Sequence, residues 1–308
     1  KSTIGIEIET CINVPDKDDW FEMIDSYLKH LQDCGLVTKL NESENYTKWT
    51  LVEDSSIKCG NFTEEDNITL GTEYNENIDY AAAEIVSRIY SYKDLPKLEK
   101  DIQKCIITKN FVFGFNSSQG IHYNIGNKLL TEMEEDERTE AISRILTLWW
   151  KLESTIISYL PKYRQEEVYK GKYCKSLHRV FDDLDDMLDQ CPNFYIKNSD
   201  DDYVNDDYNP TYTSVNLKNV YEDTTEEIYF EFRIGSIHIN PKIFNTWIKM
   251  LSAIIVIGID KNLYSELDKK LTDNMKENEK AFRSILNKYF KGMGDETLSV
   301  IEELNKNR

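Results

Sequence analysis

Ile4, Ile6 and Ile8 alternate with Gly5, Glu7 and Glu9 near the start of the chain. A period of two is the mark of a half-buried strand, because successive side chains point to opposite faces. The isoleucine face must lie on a core, and the other face presents two carboxylates about 7 Å apart, two strand rises. The alternation returns in Ile121-His122-Tyr123-Asn124-Ile125, which puts His122 and Asn124 on one face. It returns again in Ile228 to Ile234, where Tyr229, Glu231 and Arg233 share one face and Phe230 and Phe232 the other. Shorter β-branched or aromatic runs predict further strands. These are Lys48 to Ile57, running into an acidic turn at Asp54, then Glu84-Ile85-Val86-Ser87, Phe111 to Phe115 and Tyr212 to Leu217.

A 3.6-residue period marks the helices. Pro15 and Asp16 set up the first, with Trp20, Phe21, Ile24, Tyr27, Leu28 and Leu31 on its apolar face and Gly35 at its end. Leu95-Pro96 opens a second that runs to about Ile107, with proline in the tolerated first turn. Glu137 to Leu160 reads as a long helix whose stripe, Trp149 and Trp150 included, belongs to the core. Glu166 to Leu188 carries Tyr169, Tyr173, Leu177, Val180, Phe181 and Leu184 at helical spacing and reads as one helix. Pro241 precedes a helix over Ile243 to Ile259, and amphipathic helices follow, giving a helical C-terminal part at 243–308. The polar stretch from Asn61 to Asn77 reads as a loop or insertion, and Asn116 to Gly120 as a turn. Aspartate dominates from Asp182 to Asp207, and the part near residues 189–210 reads as a solvated, mobile loop rather than a metal site. Helices and strands in irregular order, with no internal repeat, predict an α+β fold. Its mostly antiparallel sheet would carry flanking helices and leave one face open for a site, all in a single domain over residues 1–308.

With 40% hydrophobic and 12% aromatic residues among 308, the chain can bury a substantial core. Its formal charge is 37 − 56 = −19, and it lacks the clustered Lys and Arg that a duplex-binding surface needs, so nucleic acid is not expected as a partner. The most apolar run, Met250 to Ile259, is too short to span a bilayer and reads as a buried helix, so no membrane partner is expected. Cys11, Cys34, Cys59, Cys105, Cys174 and Cys191 form no Cys-x-x-Cys pair, which argues against a zinc ribbon or a redox dithiol. They read as reduced packing cysteines of a cytoplasmic protein.

Candidate chemistry gathers on the strand faces: Glu7, Glu9, Glu84, His122, Glu231 and Arg233, with Asp54 on an adjoining turn. Taken singly, Glu7 and Glu9 fit a solvated face, and Glu231-Phe232-Arg233 fits a surface ion pair. Taken together, carboxylates, one histidine and one arginine are what a site for metal-bound phosphate needs, since hard cations take oxygen ligands. The usual phosphate-binding glycine loops, a zincin His-Glu-x-x-His and a nucleophile elbow are all absent.

The order of motifs resembles the amidoligase family. The resemblance is carried by Gly5-Ile6-Glu7-Ile8-Glu9, Asp54-Ser55-Ser56-Ile57, Glu84-Ile85-Val86-Ser87, Asn116-Ser117-Ser118-Gln119-Gly120-Ile121-His122 and Glu231-Phe232-Arg233, over roughly Ile4 to Ile259. That family is similar to glutamate–cysteine ligase and glutamine synthetase within the carboxylate–amine ligase superfamily. The resemblance implies a glutamine synthetase-like sheet cupping ATP and Mg²⁺. It implies Glu7, Glu9, Glu84, His122 and Glu231 as metal ligands, His122, Asn124 and Arg233 on the ATP side, Arg233 on the γ-phosphate, and Asp54 lining the substrate or metal side as a catalytic group. Two departures stand out. Asn124 occupies the place where the family often has a second histidine, and Asp54-Ser55-Ser56 stands where it often has Asp-Gly-Ser. The implied activity is ATP-dependent ligation of a carboxylate to an amine through an acyl phosphate, the partners being a small molecule, a peptide or a protein side chain. A phosphotransferase of the guanidino kinase type and a non-catalytic binding protein that keeps the fold are the alternatives.

Overall fold

The computed structural model describes residues 2–14, 17–40, 47–54, 57, 59, 80–106, 111–114, 119–172, 174–197, 212–221, 227–236, 241–291 and 293–294. In chain order the elements are β1 (Ser2–Asn13), α1 (Trp20–Asp33), β2 (Val37–Leu40), β3 (Trp49–Val52), β4 (Ala81–Val86), β5 (Tyr90–Ser91), α2 (Leu95–Ile106), β6 (Val112–Gly114), β7 (Ile121–Asn127) and α3 (Lys128–Glu132). There follow α4 (Glu135–Ile157), α5 (Lys162–Lys170), α6 (Leu184–Lys197), β8 (Val215–Asn216), α7 (Lys218–Tyr221), β9 (Tyr229–Gly235), α8 (Pro241–Ile259), α9 (Lys261–Asp268) and α10 (Met275–Tyr289). The fold is α+β. The β1–β4, β1–β5, β1–β6, β3–β4 and β8–β9 pairs are antiparallel, and β2–β3 is parallel. The chain gathers into two compact units interleaved in sequence: Thr3–Asn124 with Gly235–Asn245, and Lys1–Ser2 with Ile125–Ile234 and Thr246–Arg308.

In the first unit the strands run in the order β2-β3-β4-β1-β7, with β5 and β6 also on β1. β1 is central, with strands paired to both of its edges, and the period-two pattern puts Ile4, Ile6 and Ile8 on its core-facing side, where they are wholly buried. The expected β4 and β7 are present and slightly longer than their sequence cores. Helix α1 begins at Trp20, where the Asp19 carboxylate accepts from the Phe21 and Glu22 N–H groups, satisfying two of the free donors of the first turn. Its buried stripe is Met23, Ile24, Tyr27 and Leu31, and Gly35 follows its end at φ +70°, a backbone conformation natural to glycine. The Trp49 indole donates to the Tyr90 hydroxyl at 2.7 Å, and Tyr90 donates to the buried Asp101 carboxylate at 2.6 Å. That network joins β3, β5 and α2.

In the second unit β8 pairs with β9 in register Val215↔Phe232 and Asn216↔Glu231. Helix α4 is the long helix expected, with Trp149 in the core, and it packs against α10, α6 and α9. Gly258 of α8 is required by close approach, since a Cβ there would meet Ile145 Cγ1 at 2.4 Å and Ile145 Cα at 2.9 Å. Helix α8 is long and apolar enough to cross a membrane by composition, yet 78% of its apolar window is buried within the protein.

Three expectations need correction. Residues 166–188 are not one helix: α5 stops at Gly171, whose N–H donates to the Glu167 carbonyl, and a 3₁₀ turn over Leu177–Arg179 intervenes before α6. The break is stabilised by polar bonds that a straight helix could not make, from Ser176 and Leu177 to Glu153. Residues 189–197 of the expected acidic loop continue α6, whose Cys191 is buried, while 198–211 lie outside the described residues. The cysteines are not all reduced: Cys11 and Cys59 form a disulfide, while Cys34, Cys105, Cys174 and Cys191 are free. The turn residues Ser55, Ser56 and Asn116 to Ser118, the segment Asn61 to Asn77, and the helix start at Pro15 and Asp16 also lie outside the described residues.

Candidate active site

In the first unit, β1, β4 and β7 bring five of the expected side chains together. Glu7 and Glu9 project from β1 on the face opposite the buried isoleucines. Glu9 stands directly across from Glu84 in the antiparallel β1–β4 ladder, and Glu7 lies one step along, opposite Val86. From β7, the His122 Nδ1 lies 2.9 Å from Glu7 Oε2 and its Nε2 lies 3.5 Å from Glu9 Oε1. The Asn124 side chain donates through Nδ2 to Glu7 Oε1 at 2.7 Å. The Gly120 N–H donates to Glu9 Oε2 at 2.8 Å, so the turn before β7 also aims a donor at this group.

The electrostatics show what the cluster costs. Burial pushes the Glu84 carboxyl up to about 9, reinforced by the charges of Glu7 and Glu9, a hydrogen bond to Glu7, and the charge of Asp54. Glu84 is therefore a carboxylic acid at neutral pH, and its proton bridges to Glu7, which already holds His122 and Asn124. A proton here does the work of a cation: it keeps like charges on facing strands from repelling one another. The Asn124 Oδ1 is buried without a hydrogen-bond partner. Carboxylate oxygens and an orphaned amide oxygen are donors that fit a hard divalent cation, and the His122 imidazole stands beside them. Among the residues expected here, Asp54 follows β3 and acts on Glu84 through its charge.

In the second unit, β9 presents Glu231 and Arg233 on one face, as the alternation requires. Arg233 Nη1 donates to Glu231 Oε1 at 2.8 Å, and Asn216 Nδ2 donates to Glu231 Oε2 at 2.7 Å, so both oxygens of Glu231 are held. The Arg233 guanidinium lies over the Tyr212 ring, 5.7 Å from its centroid. The main-chain N–H of Arg233 donates to the Ser214 carbonyl at 2.9 Å.

Sequence reasoning missed three residues of this second group. Asn216 faces Glu231 only through the register of a two-residue strand, which no local pattern reveals. Arg164, on polar α5, is buried and donates to the Arg233 carbonyl. Glu153 is wholly buried on α4, where its carboxylate accepts from the Ser176 hydroxyl at 2.5 Å, the Leu177 N–H at 3.1 Å and the Ser214 hydroxyl. A signal for Glu153 did exist: it falls on the apolar stripe of the helix, with Trp149 four residues before it and Ile156 and Ile157 three and four after.

Comparison with known sequences agrees with the motif order. The profile of a family described as "putative amidoligase enzyme" matches residues 1–255, which contain both groups of side chains. No curated protein matches the chain. The match covers most of the sequence and includes each strand that carries a candidate residue, and the family description suggests an enzyme of the ligase type acting on carboxylate and amine substrates. The chain belongs to the amidoligase family.

Proposed function

We propose that the protein is an ATP-dependent carboxylate–amine ligase that forms an amide bond through an acyl phosphate. The observation that carries this reading is the convergence of Glu7, Glu9, Glu84, His122 and Asn124 from β1, β4 and β7, with Glu9 directly across from Glu84 and the His122 Nδ1 2.9 Å from Glu7 Oε2. Such a cluster is poised to exchange its proton for a divalent cation, because metal ligation requires the deprotonated carboxylate. Glu7, Glu9, Glu84 and His122 would hold Mg²⁺. When bound, the cation would supply charge neutralisation of the triphosphate.

The rest of the chemistry belongs to the chain. Arg233 would fork onto oxygens of the γ-phosphoryl group, and its guanidinium geometry suits that role better than a lysine would. Asn124 would turn its amide toward the nucleotide side, and Asp54 would line the substrate. A substrate carboxylate oxygen attacks the γ-phosphorus as the bond to ADP breaks. The amine nitrogen then attacks the acyl carbon, the bond to phosphate breaks, and the nitrogen gives up one proton to a carboxylate or to water. Positioning and electrostatic stabilisation are the protein's share of such a reaction.

Hydroxylamine tests this reading, because it is small and nucleophilic enough to intercept an acyl phosphate. Protein incubated with ATP, Mg²⁺, hydroxylamine and a pool of amino acids or carboxylate-bearing peptides should release ADP and phosphate and form a hydroxamate. Release of ADP only when a guanidine acceptor is present would identify a guanidino kinase. Absence of ATP binding would leave the non-catalytic reading.

A further inference from the structure

We propose that Arg164 is a positioning residue for Arg233, gripping the main chain of β9 so that the Arg233 guanidinium is presented in one orientation to an anionic group. The proposal rests on the reading of Arg233 as a phosphate ligand. Arg164 sits on α5 and is only 2% exposed, an unusual place for a guanidinium. Its Nη2 donates to the Arg233 carbonyl oxygen at 2.5 Å. The other main-chain group of Arg233, its N–H, donates to the Ser214 carbonyl at 2.9 Å. Both backbone polar groups of this residue are thus committed, one of them to a charged donor. A charge-assisted bond is stronger than the amide–carbonyl bond that a sheet neighbour would offer.

The surroundings extend the grip. Ser214, which accepts from the Arg233 N–H, has its hydroxyl on the buried Glu153 carboxylate and accepts from the Trp149 indole at 3.2 Å. Glu153 also holds Ser176 and Leu177, just after α5, and the Ser176 N–H donates back to the Val168 carbonyl of α5. Arg164 and Glu153 therefore anchor the two sides of the same residue through one connected set of bonds. Burial pushes the Cys174 thiol up to about 11, with the Arg164 and Arg233 guanidinia acting against that push, so two positive charges converge on this region.

The test compares Arg164→Met, Arg164→Gln and Arg164→Lys with the parent protein, alone and combined with Arg233→Lys. In the hydroxamate assay, Arg164→Met should lower kcat by about 10- to 100-fold, the scale of a small misplacement of a catalytic group, with the KM for the carboxylate little changed. Arg164→Lys, which retains a charged donor, should recover part of the loss. Combined with Arg233→Lys, Arg164→Met should add little further loss, since both changes disable the same group. A fall in melting temperature with unchanged kcat, or losses that multiply in the double variant, would overturn the proposal. Nitrogen-15 spectra of the arginine Nε–H groups give a second readout that needs no turnover, with the Arg233 signal assigned by its loss in Arg233→Lys. That signal should be sharp and slowly exchanging in the parent and should lose this restriction in Arg164→Met and Arg164→Gln. An Arg233 signal indifferent to Arg164 would sink the positioning role. Absence of ATP turnover in the parent protein would instead count against the ligase reading alone.

Discussion

Glu9 and Glu84 are direct partners across the β1–β4 ladder, two carboxylates facing each other on neighbouring strands. The strain is relieved by keeping Glu84 protonated, its carboxyl pushed up from 4.5 to about 9 chiefly by burial and then by the charges of Glu7 and Glu9. Because the folded value lies above the unfolded one, the unfolded chain loses this proton first as pH rises. In metal-free buffer the stability linked to Glu84 should be complete below about pH 4.5 and should decline towards about pH 9. Thermal melts of the parent and Glu84→Gln in EDTA across that window check it. The variant should lack the decline, and parallel curves would refute the assignment.

Divalent cation should take over the role of that proton. Mg²⁺ with ATP should raise the melting temperature, by the equivalent of about 2.7 kcal/mol at a hundredfold excess over Kd. Glu7→Gln combined with Glu9→Gln should abolish the shift. An undiminished shift in the double variant would place the cation elsewhere.

The Arg233–Glu231 ion pair at 2.8 Å fits a simple structural bridge as well as a phosphate ligand at rest. Substitution separates the two. A bridge tolerates Arg233→Lys, whereas bidentate contact with phosphate oxygens does not. Turnover should fall by about 10²- to 10³-fold, the scale of losing one transition-state donor, with little change in folding. Parent-like turnover would leave only the bridge.

The Cys11–Cys59 disulfide closes a sequence separation of 48 residues. In the chain-entropy view a loop of that length contributes about 4 kcal/mol. Cys59→Ser should lower the melting temperature, and thiol reductant should lower that of the parent but not of the variant. Thiol titration of the denatured, unreduced chain should count only Cys34, Cys105, Cys174 and Cys191. A count of six would remove the bond.

The strands that carry the acids were legible because their pattern is local. Isoleucine alternation in β1, the β-branched run of β4 and the alternations of β7 and β9 each define a face within a few residues, so Glu7, Glu9, Glu84, His122, Glu231 and Arg233 fall on the faces expected. What required three dimensions was pairing. That Glu9 meets Glu84 follows from register between strands about 75 residues apart, and Asn216 reaches Glu231 only by the same kind of long-range register. The parallel strand β2 is too short to announce itself in Val37 to Leu40. The helix read over 166–188 failed because periodicity registers apolar spacing but not the competing hydrogen bonds of Ser176 and Leu177 with Glu153. The disulfide was missed because spacing alone does not tell a packing cysteine from a paired one.

The central place of β1 has a consequence for how the chain comes to be folded. β1 lies early in the sequence, but its neighbours β4 and β7 begin only at Ala81 and Ile121, so the strand must wait through the synthesis of more than a hundred residues. An unpaired strand edge lined with isoleucine is a template for aggregation during that interval. Glu7 and Glu9 are the charges that interrupt it, and they would act as gatekeepers. Glu7→Gln with Glu9→Gln should therefore aggregate more during refolding from denaturant, measured by light scattering. Equal refolding yields for the parent and the variant would show that the two carboxylates serve only the completed site.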